Sequence, residues 1–488
     1  MPVRSELAQL LVPAIRWDAA RGYDGARTAI AHALDIGVGG FILFGGDQEG
    51  VRALTKELRA KSRHPLLIGA DLERGAGQQF AGCAGLPPLA AIASLNDPEL
   101  VRRAARLTAR EARTIGVNWD YAPVCDLDVL PENPIVGTRS LGGDPAKVAE
   151  LAVDWIDACQ AEGVLACAKH FPGHGRTRGD SHAELPVVDA STDLLMETDL
   201  VPFRAAIDAG VGSIMTAHVS YPALDPSGLP ATRSREILQW LLRRQLGYDG
   251  LVVTDALIME GALAGTNEGD AAVGALRAGC DLLLYPNDLE AVTRALDEAL
   301  AKRLLDREQT HQSMRRRMKY AQWVSPPNEY RRPSQTDLQW GASLCDRVVH
   351  EARGPVPRVR WPLDVLVVDD DVGGPYPPPS RQPFLDGLRA GGEMRTVSSG
   401  TGAAGSTLVV AVFGDIRSWK GRPGYSADTR AAVARALEEA KASARDAIVV
   451  QFSHPRLLAE LPATAPVLSA WGGEKAMQEA AARILVKR

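Results

Sequence analysis

Along the first 300 positions, apolar residues gather into short runs that end on a polar residue, and between the runs they recur every three or four places. A short apolar run bounded by turn formers reads as a buried strand, and a longer periodic stretch as an amphipathic helix. Strands are expected at 10–15, 40–44, 66–71, 117–123, 165–171, 213–218, 251–255 and 281–285, with helices such as 48–61, 99–114, 145–160 and 234–246 between them. Eight strand–helix units in about 300 residues is the arithmetic of a (β/α)8 TIM barrel. A doubly wound open sheet is the alternative.

After position 285 the pattern changes. Residues 315–333, RRRMKYAQWVSPPNEYRRP, read as a helix end with a solvated basic face running into an extended linker. A helix is expected at 336–351, and a second proline cluster follows at Pro355, Pro357 and Pro362. From 363 strands and helices alternate again, in LDVLVVDDD, TLVVAVFG, AIVVQFS and APVLSAWG. The expected organisation is a barrel over 1–314, a linker with one helix over 315–362, and a smaller α/β sandwich over 363–488. Two motifs in the second part add little. GTGAAG at 400–405 precedes a strand, whereas a dinucleotide loop joins a strand to a helix N-terminus. Asp369, Asp370 and Asp371 read as an acidic turn.

The polar residues that end the runs choose between barrel and open sheet. Asp71 ends IGAD, Lys169 and His170 end LACAKH, His218 ends IMTAH and Asp255 ends LVVTD. In a barrel these carboxyl ends converge on one face, where active sites are built. The densest stretch is LACAKHFPGHGRTRGDSH, residues 165–182, in which Gly173, Gly175 and Gly179 lead to Asp180, Ser181 and His182. Glycines make such a loop costly to order, so His182 is expected to work from a moving loop that closes on substrate. His170, His174 and His182 have a spacing that would suit metal ligands on a helix, but Pro172 and the glycines oppose a helix there. No metal is expected.

Composition adds mainly exclusions. The chain has 488 residues, 45% hydrophobic and 24% charged, as ordinary soluble proteins do. A formal net charge of -5 argues against a nucleic-acid partner, and no apolar run approaches the roughly 18 residues that would suggest a membrane span. Six cysteines without CxxC spacing suit reduced thiols, and MPVRSELAQLLVPAIRWD lacks the features of a secretory signal. A cytoplasmic location is expected, and none of these patterns bears on oligomeric state.

KHFPGHGRTRGDSH resembles the signature of glycoside hydrolase family 3, in particular its bacterial β-N-acetylglucosaminidase branch. APVCDLDVLPENPIVGTRSLGGDP, MTAHVSYPALDPSGLPATRS and LGYDGLVVTDALIMEGA are similar to the family's fourth-strand, sixth-strand and nucleophile regions. The resemblance implies a barrel, often followed by an α/β sandwich, and no cofactor. It implies that Asp255 is the nucleophile and His182 the general acid/base with Asp180 as its partner. Lys169, His170, Asp71 and Arg139 would hold the sugar, and His218 joins them as a strand-end polar residue. The chain departs from the family where DQEGGRVQRF is usual: it reads DLERGAGQQF, so Ala76 and Gln79 stand in place of arginines. Gln79 keeps a hydrogen bond to substrate without the charge.

The chemistry suits these residue types. Glycoside cleavage needs a proton donor for the leaving oxygen and a carboxylate facing the anomeric carbon, and an imidazole titrating near neutrality can serve as acid and then base. The expected reaction is retaining hydrolysis of terminal β-linked N-acetylglucosamine from muropeptides or chitooligosaccharides through a glycosyl-Asp255 intermediate, with a small saccharide as partner. The alternatives are a phosphorylase, since a histidine acid/base would not repel phosphate as a carboxylate would, a β-glycosidase of other sugar specificity, or a catalytically silent sugar-binding protein. The sandwich is expected to flank the barrel without supplying the proton donor.

Overall fold

The computed structural model describes residues 5–324, 332–371, 378–416 and 419–487. They form two compact units, one from 1–84, 97–129 and 140–334, the other from 85–96, 130–139 and 335–488.

The first unit is a (β/α)8 barrel. Its first strand comes in two pieces, Leu11–Val12 and Ala14–Arg16, divided at Pro13, which has no N–H to offer a ladder. The second piece opens a run of parallel strands that continues through Gly40–Phe44, Leu67–Ala70, Trp119–Asp120, Leu165–Phe171, Ser213–Thr216 and Leu251–Thr254. The eighth strand, Leu283–Leu284, is joined to the seventh by the Val253–Leu282 bridge and pairs with Leu11–Val12, which closes the ring. All eight expected strands are present.

The register decides which side chains enter the barrel, because side chains alternate along a strand and paired residues share a face. Gly69 faces inward: a Cβ there would lie 2.5 Å from the Tyr121 hydroxyl. Asp71, two residues on, therefore enters the mouth. Gly69 pairs with Trp119 and Trp119 with Leu165, which turns Leu165, Cys167 and Lys169 inward. The Trp119 indole reaches across to Ser213 Oγ at 2.8 Å. Ser213 pairs with Leu251, which aims Val253 and Asp255 inward as well. Asp71, Lys169 and Asp255 thus converge because their offsets along the ladder are even.

The opposite end of the barrel is closed by the helix Arg307–Trp323. Arg317 on this helix is wholly buried. Its Nη1 donates to the Pro65 and Gly39 carbonyls at 2.8 and 3.4 Å, and its Nη2 to Gln9 Oε1 at 3.0 Å. Burial lowers its pKa to about 10. The basic run at 315–317 is therefore a solvated face only in part: Arg315 pairs with Glu308, Arg316 with Asp249 and Asp281, and Arg317 is structural. Among the described residues no helix is long and apolar enough to cross a membrane. All six cysteines are free thiols.

The second unit is an α/β sandwich. Its sheet runs His350–Arg353, Val467–Ser469, Asp446–Phe452, Thr407–Phe413, Leu363–Asp369, Met394–Thr396, parallel except for the antiparallel first strand. Strand alternation covers both faces. Val409, Ala411 and Phe413 pack with residues of the helices Gln335–Val348, Gln382–Arg389 and Lys475–Val486, while Leu408, Val410 and Val412 pack with those of Ala427–Ala442. The acidic turn at 369–371 is paired with cations: Asp370 with Lys420 and Arg422, Asp371 with Arg381. Burial, reinforced by Asp415, pushes the Asp371 carboxyl up to about 6.

Candidate active site

The mouth of the barrel is built from strand ends outward. Lys169 on the fifth strand lies with its Nζ 2.8 Å from Asp71 Oδ1 and 2.7 Å from Glu73 Oε1. Its side chain is 1% exposed, and a cation buried to that degree needs such partners. Asp71 keeps 30% of its side chain exposed while Glu73 keeps 4%, so Asp71 is the member of the trio that meets solvent in the mouth. Glu73 was not anticipated.

One residue further, the His170 ring places Nδ1 2.6 Å from Asp126 Oδ2. The other oxygen of Asp126 accepts the His170 N–H at 3.1 Å and the His174 N–H at 2.6 Å. Asp126 is fully buried, which alone would raise its pKa, but His170 and His174 outweigh burial and hold it below the ordinary carboxylate value. On the far side of the ring, His170 Nε2 lies 3.9 Å from Asp255 Oδ2. Asp255 follows the seventh strand directly, and its Oδ1 accepts the Ala256 N–H at 2.7 Å. Burial pushes this carboxyl up, yet His170 foremost, then His218, His182 and the Ala256 N–H, bring it down to about 2. Asp255 is an ionised carboxylate at any ordinary pH.

The loop after the fifth strand carries the second reactive group. Asp180 Oδ1 accepts both the His182 N–H at 2.9 Å and the ring Nδ1–H at 2.8 Å. The His182 side chain is 19% exposed and that of Asp180 3%. The loop is anchored throughout. Tyr221 donates to the Gly173 carbonyl at 2.8 Å, His174 joins Thr177 Oγ1 at 2.9 Å and Ser181 Oγ at 3.0 Å, and Arg176 pairs with Asp199 at 2.7 Å. It is also tied to the segment behind Asp255, where the Gly261 and Glu260 N–H groups donate to the Ser181 and His182 carbonyls at 3.0 and 3.4 Å. Gly175 serves close packing, since a Cβ there would lie 1.9 Å from the Leu127 carbonyl oxygen, whereas one on Gly179 would meet only the movable end of the Glu184 side chain.

Three other anticipated residues are placed differently. His218 is wholly buried, with Nε2 3.2 Å from the Ala256 carbonyl and Nδ1 2.8 Å from Thr232 Oγ1. Instead of facing a sugar it steadies the backbone behind Asp255. Gln79 turns its Oε1 to the Gly45 N–H at 3.4 Å. Arg139 belongs to the second compact unit, where it reaches the Ile135 carbonyl at 3.4 Å. Among the described residues no group of histidine, cysteine or acidic side chains is arranged to hold a metal ion.

An ionised carboxylate on one strand end and a carboxylate-held imidazole on the adjoining loop are what a two-step displacement at an anomeric carbon uses. Comparison with known proteins identifies the family. The "Beta-hexosaminidase" of Thiobacillus denitrificans (strain ATCC 25259 / T1) is 40% identical over 275 residues, covering 54% of this chain and 75% of that protein. The solved glycoside hydrolase family 3 β-N-acetylglucosaminidase of Paenibacillus sp. str. FPU-7 superposes with a TM-score of 0.83 at 27% identity, over 100% of this chain and 97% of its own. A β-glucoside phosphorylase shares the fold, with a TM-score of 0.83 at 21% identity over 100% and 92% of the two chains. The family model described as "Glycosyl hydrolase family 3 N terminal domain" matches residues 2–319, the whole span from the first strand to the helix that closes the barrel, and the chain belongs to glycoside hydrolase family 3.

Proposed function

We propose that this protein is a retaining β-N-acetylglucosaminidase that removes terminal β-linked N-acetylglucosamine from peptidoglycan-derived muropeptides or chitooligosaccharides. The observation that carries the reading is the pairing of an ionised Asp255 with a His182 ring whose Nδ1 is held by Asp180. In the first step Asp255 attacks the anomeric carbon while His182 Nε2 gives its proton to the leaving oxygen. In the second, the neutral imidazole takes a proton from water as the water oxygen displaces Asp255, so configuration is retained. Asp71 and His170, at the mouth, hold the hydroxyls of the sugar, with Lys169 fixing Asp71. Gln79 remains a sugar contact in this proposal, and the second unit contributes no proton donor. The names of the Thiobacillus and Paenibacillus relatives support the choice of sugar. Six free thiols suit a reducing compartment, and the proposal places the enzyme in the cytoplasm, recycling cell-wall fragments.

A 2-deoxy-2-fluoro glycoside with an activated leaving group should accumulate as an ester on the peptide bearing Asp255, detectable by mass spectrometry, and Asp255→Ala should form none. Proton NMR should find the β-anomer formed first, and an initial α-anomer would refute the mechanism. An imidazole base, unlike a carboxylate, does not repel phosphate. Hydrolysis and phosphorolysis are therefore separated by running the reaction in phosphate and looking for the sugar 1-phosphate.

A further inference from the structure

We infer that Asp126 is a positioning residue for the reaction, one that acts through His170: its carboxylate decides which ring nitrogen of His170 is turned to the nucleophile and the sugar. The inference rests on the reading of Asp255 as nucleophile. Asp126 comes from the segment after the fourth strand, 44 residues before His170, and divides its two oxygens between two tasks. Oδ1 accepts two backbone N–H groups, those of His170 and His174, at 3.1 and 2.6 Å, and so fixes the path of the chain where the fifth strand becomes the loop. Oδ2 is reserved for the ring, 2.6 Å from Nδ1. An ionised carboxylate only accepts, so Nδ1 carries a proton and Nε2 is the nitrogen presented to Asp255, 3.9 Å away.

The charged and titratable groups around this ring come from every neighbouring segment. Asp126 lies behind it, the His174 ring stands edge-on with centroids 5.9 Å apart, and Asp255 is in front, itself acted on by His218 and His182. Lys169 precedes it in the chain and is neutralised by Asp71 and Glu73. Asp126 is the one group bonded to the ring nitrogen that faces away from the mouth, and it has no exposed side-chain surface with which to meet substrate.

The two-oxygen arrangement lets one substitution separate the tasks. In Asp126→Asn the amide oxygen can keep both backbone bonds, while the Nδ2 that replaces Oδ2 becomes a donor toward Nδ1. The ring proton is then displaced to Nε2. The influence of His170, foremost among those that hold the Asp255 carboxyl down, is thereby weakened. A nearby opposite charge moves a carboxyl by about one to three units, so the acid limb of kcat/KM should rise by about that much, from near 2 into a range above pH 3 where rates can be measured.

The test compares wild type, Asp126→Asn, His170→Gln and the double variant on one aryl glycoside, following kcat/KM against pH. Rates are accepted only where returning to pH 7 restores activity. In parallel, 15N-detected NMR of histidine-labelled protein reads the protonated ring nitrogen, with His170 assigned by its loss in His170→Gln. The inference expects a raised acid limb and a shift of the ring proton to Nε2 in Asp126→Asn. It also expects the double variant to be no worse than His170→Gln alone, because effects passing through one residue do not add. A folded Asp126→Asn protein with the wild-type ring spectrum and acid limb, or additive losses in the double variant, would overturn it. If Asp126→Asn does not fold, the wild-type spectrum decides: a His170 ring bearing its proton on Nε2 alone refutes the inference, and protonated Nδ1 supports it. Should the wild type cleave no glycoside, the proposed function falls, while the ring spectra still report whether Asp126 governs His170.

Discussion

His174 makes acid a specific threat to the barrel. The ring is fully buried, and its two nitrogens meet Thr177 and Ser181, which hold the turn that delivers His182. Burial, aided by the charge of His170, lowers its pKa to about 4 although Asp126 and Asp255 pull the other way. In the unfolded chain the ring titrates near 6.5. Between these values the unfolded state binds a proton that the folded state refuses, so stability falls as pH falls from about 6.5 toward 4, and the full contribution is present only above that window. The gap is worth about 3 kcal/mol in total, of which about 2 kcal/mol should be lost between pH 7 and pH 5. Urea unfolding of the wild type and of His174→Gln, which can still bond at both ends of its amide but does not titrate, should show the difference. The variant begins less stable at pH 7 and loses less on acidification, so the two curves converge. Parallel curves, or a His174 ring resonance that titrates near 6.5 in the folded protein, would refute the reasoning.

Replacing His182 by Ala should cost natural saccharides roughly 10²- to 10⁴-fold in kcat/KM but aryl glycosides far less, because a nitrophenolate departs without a proton; Asp180→Ala should show the same pattern more weakly. Equal losses on both substrates would count against the donor role. Arg317→Ala should destabilise the barrel by about 2 kcal/mol or more, since it orphans the Pro65 carbonyl and Gln9 Oε1 at about 1–3 kcal/mol each, while the Gly39 carbonyl keeps the Leu67 N–H. Urea unfolding should register that loss while KM stays unchanged, because the residue lies at the end of the barrel away from the mouth. Gly175→Ala should drive a Cβ to 1.9 Å from the Leu127 carbonyl and abolish activity by displacing the loop. A fully active variant would mean that this segment repacks freely.

The barrel was legible because each strand announced itself as an apolar run with a polar stop, and the stops at Asp71, Lys169 and Asp255 lie together as the alternation requires; His170, one residue after Lys169, joins them where the ladder register shifts. His182 and Asp180 were visible because they are two positions apart in one loop. Asp126 and Glu73 were not, since each lies beyond the end of its expected strand and shows its task only through a partner 44 or 96 residues away. His218 also stands at a strand end, and nothing in the sequence signals that Thr232 and the Ala256 carbonyl meet both its ring nitrogens. The glycines of the loop signal conformational freedom in a sequence, whereas here Gly175 is required by its contact with the Leu127 backbone.

The seam at Gly261 has a consequence for how the enzyme can breathe. A Cβ there would stand within 2.8–3.0 Å of three carbonyl oxygens, those of His218, Ser181 and Glu184, so the chain six residues beyond Asp255 is pressed against the turn that bears His182. His182, the proposed proton donor, is thus mounted on the same footing as Asp255, the proposed nucleophile. Vibration or slow flexing that shifts one carries the other along, and the span between them, the dimension on which a double displacement depends, is gauged by a local joint and not by the stiffness of the whole barrel.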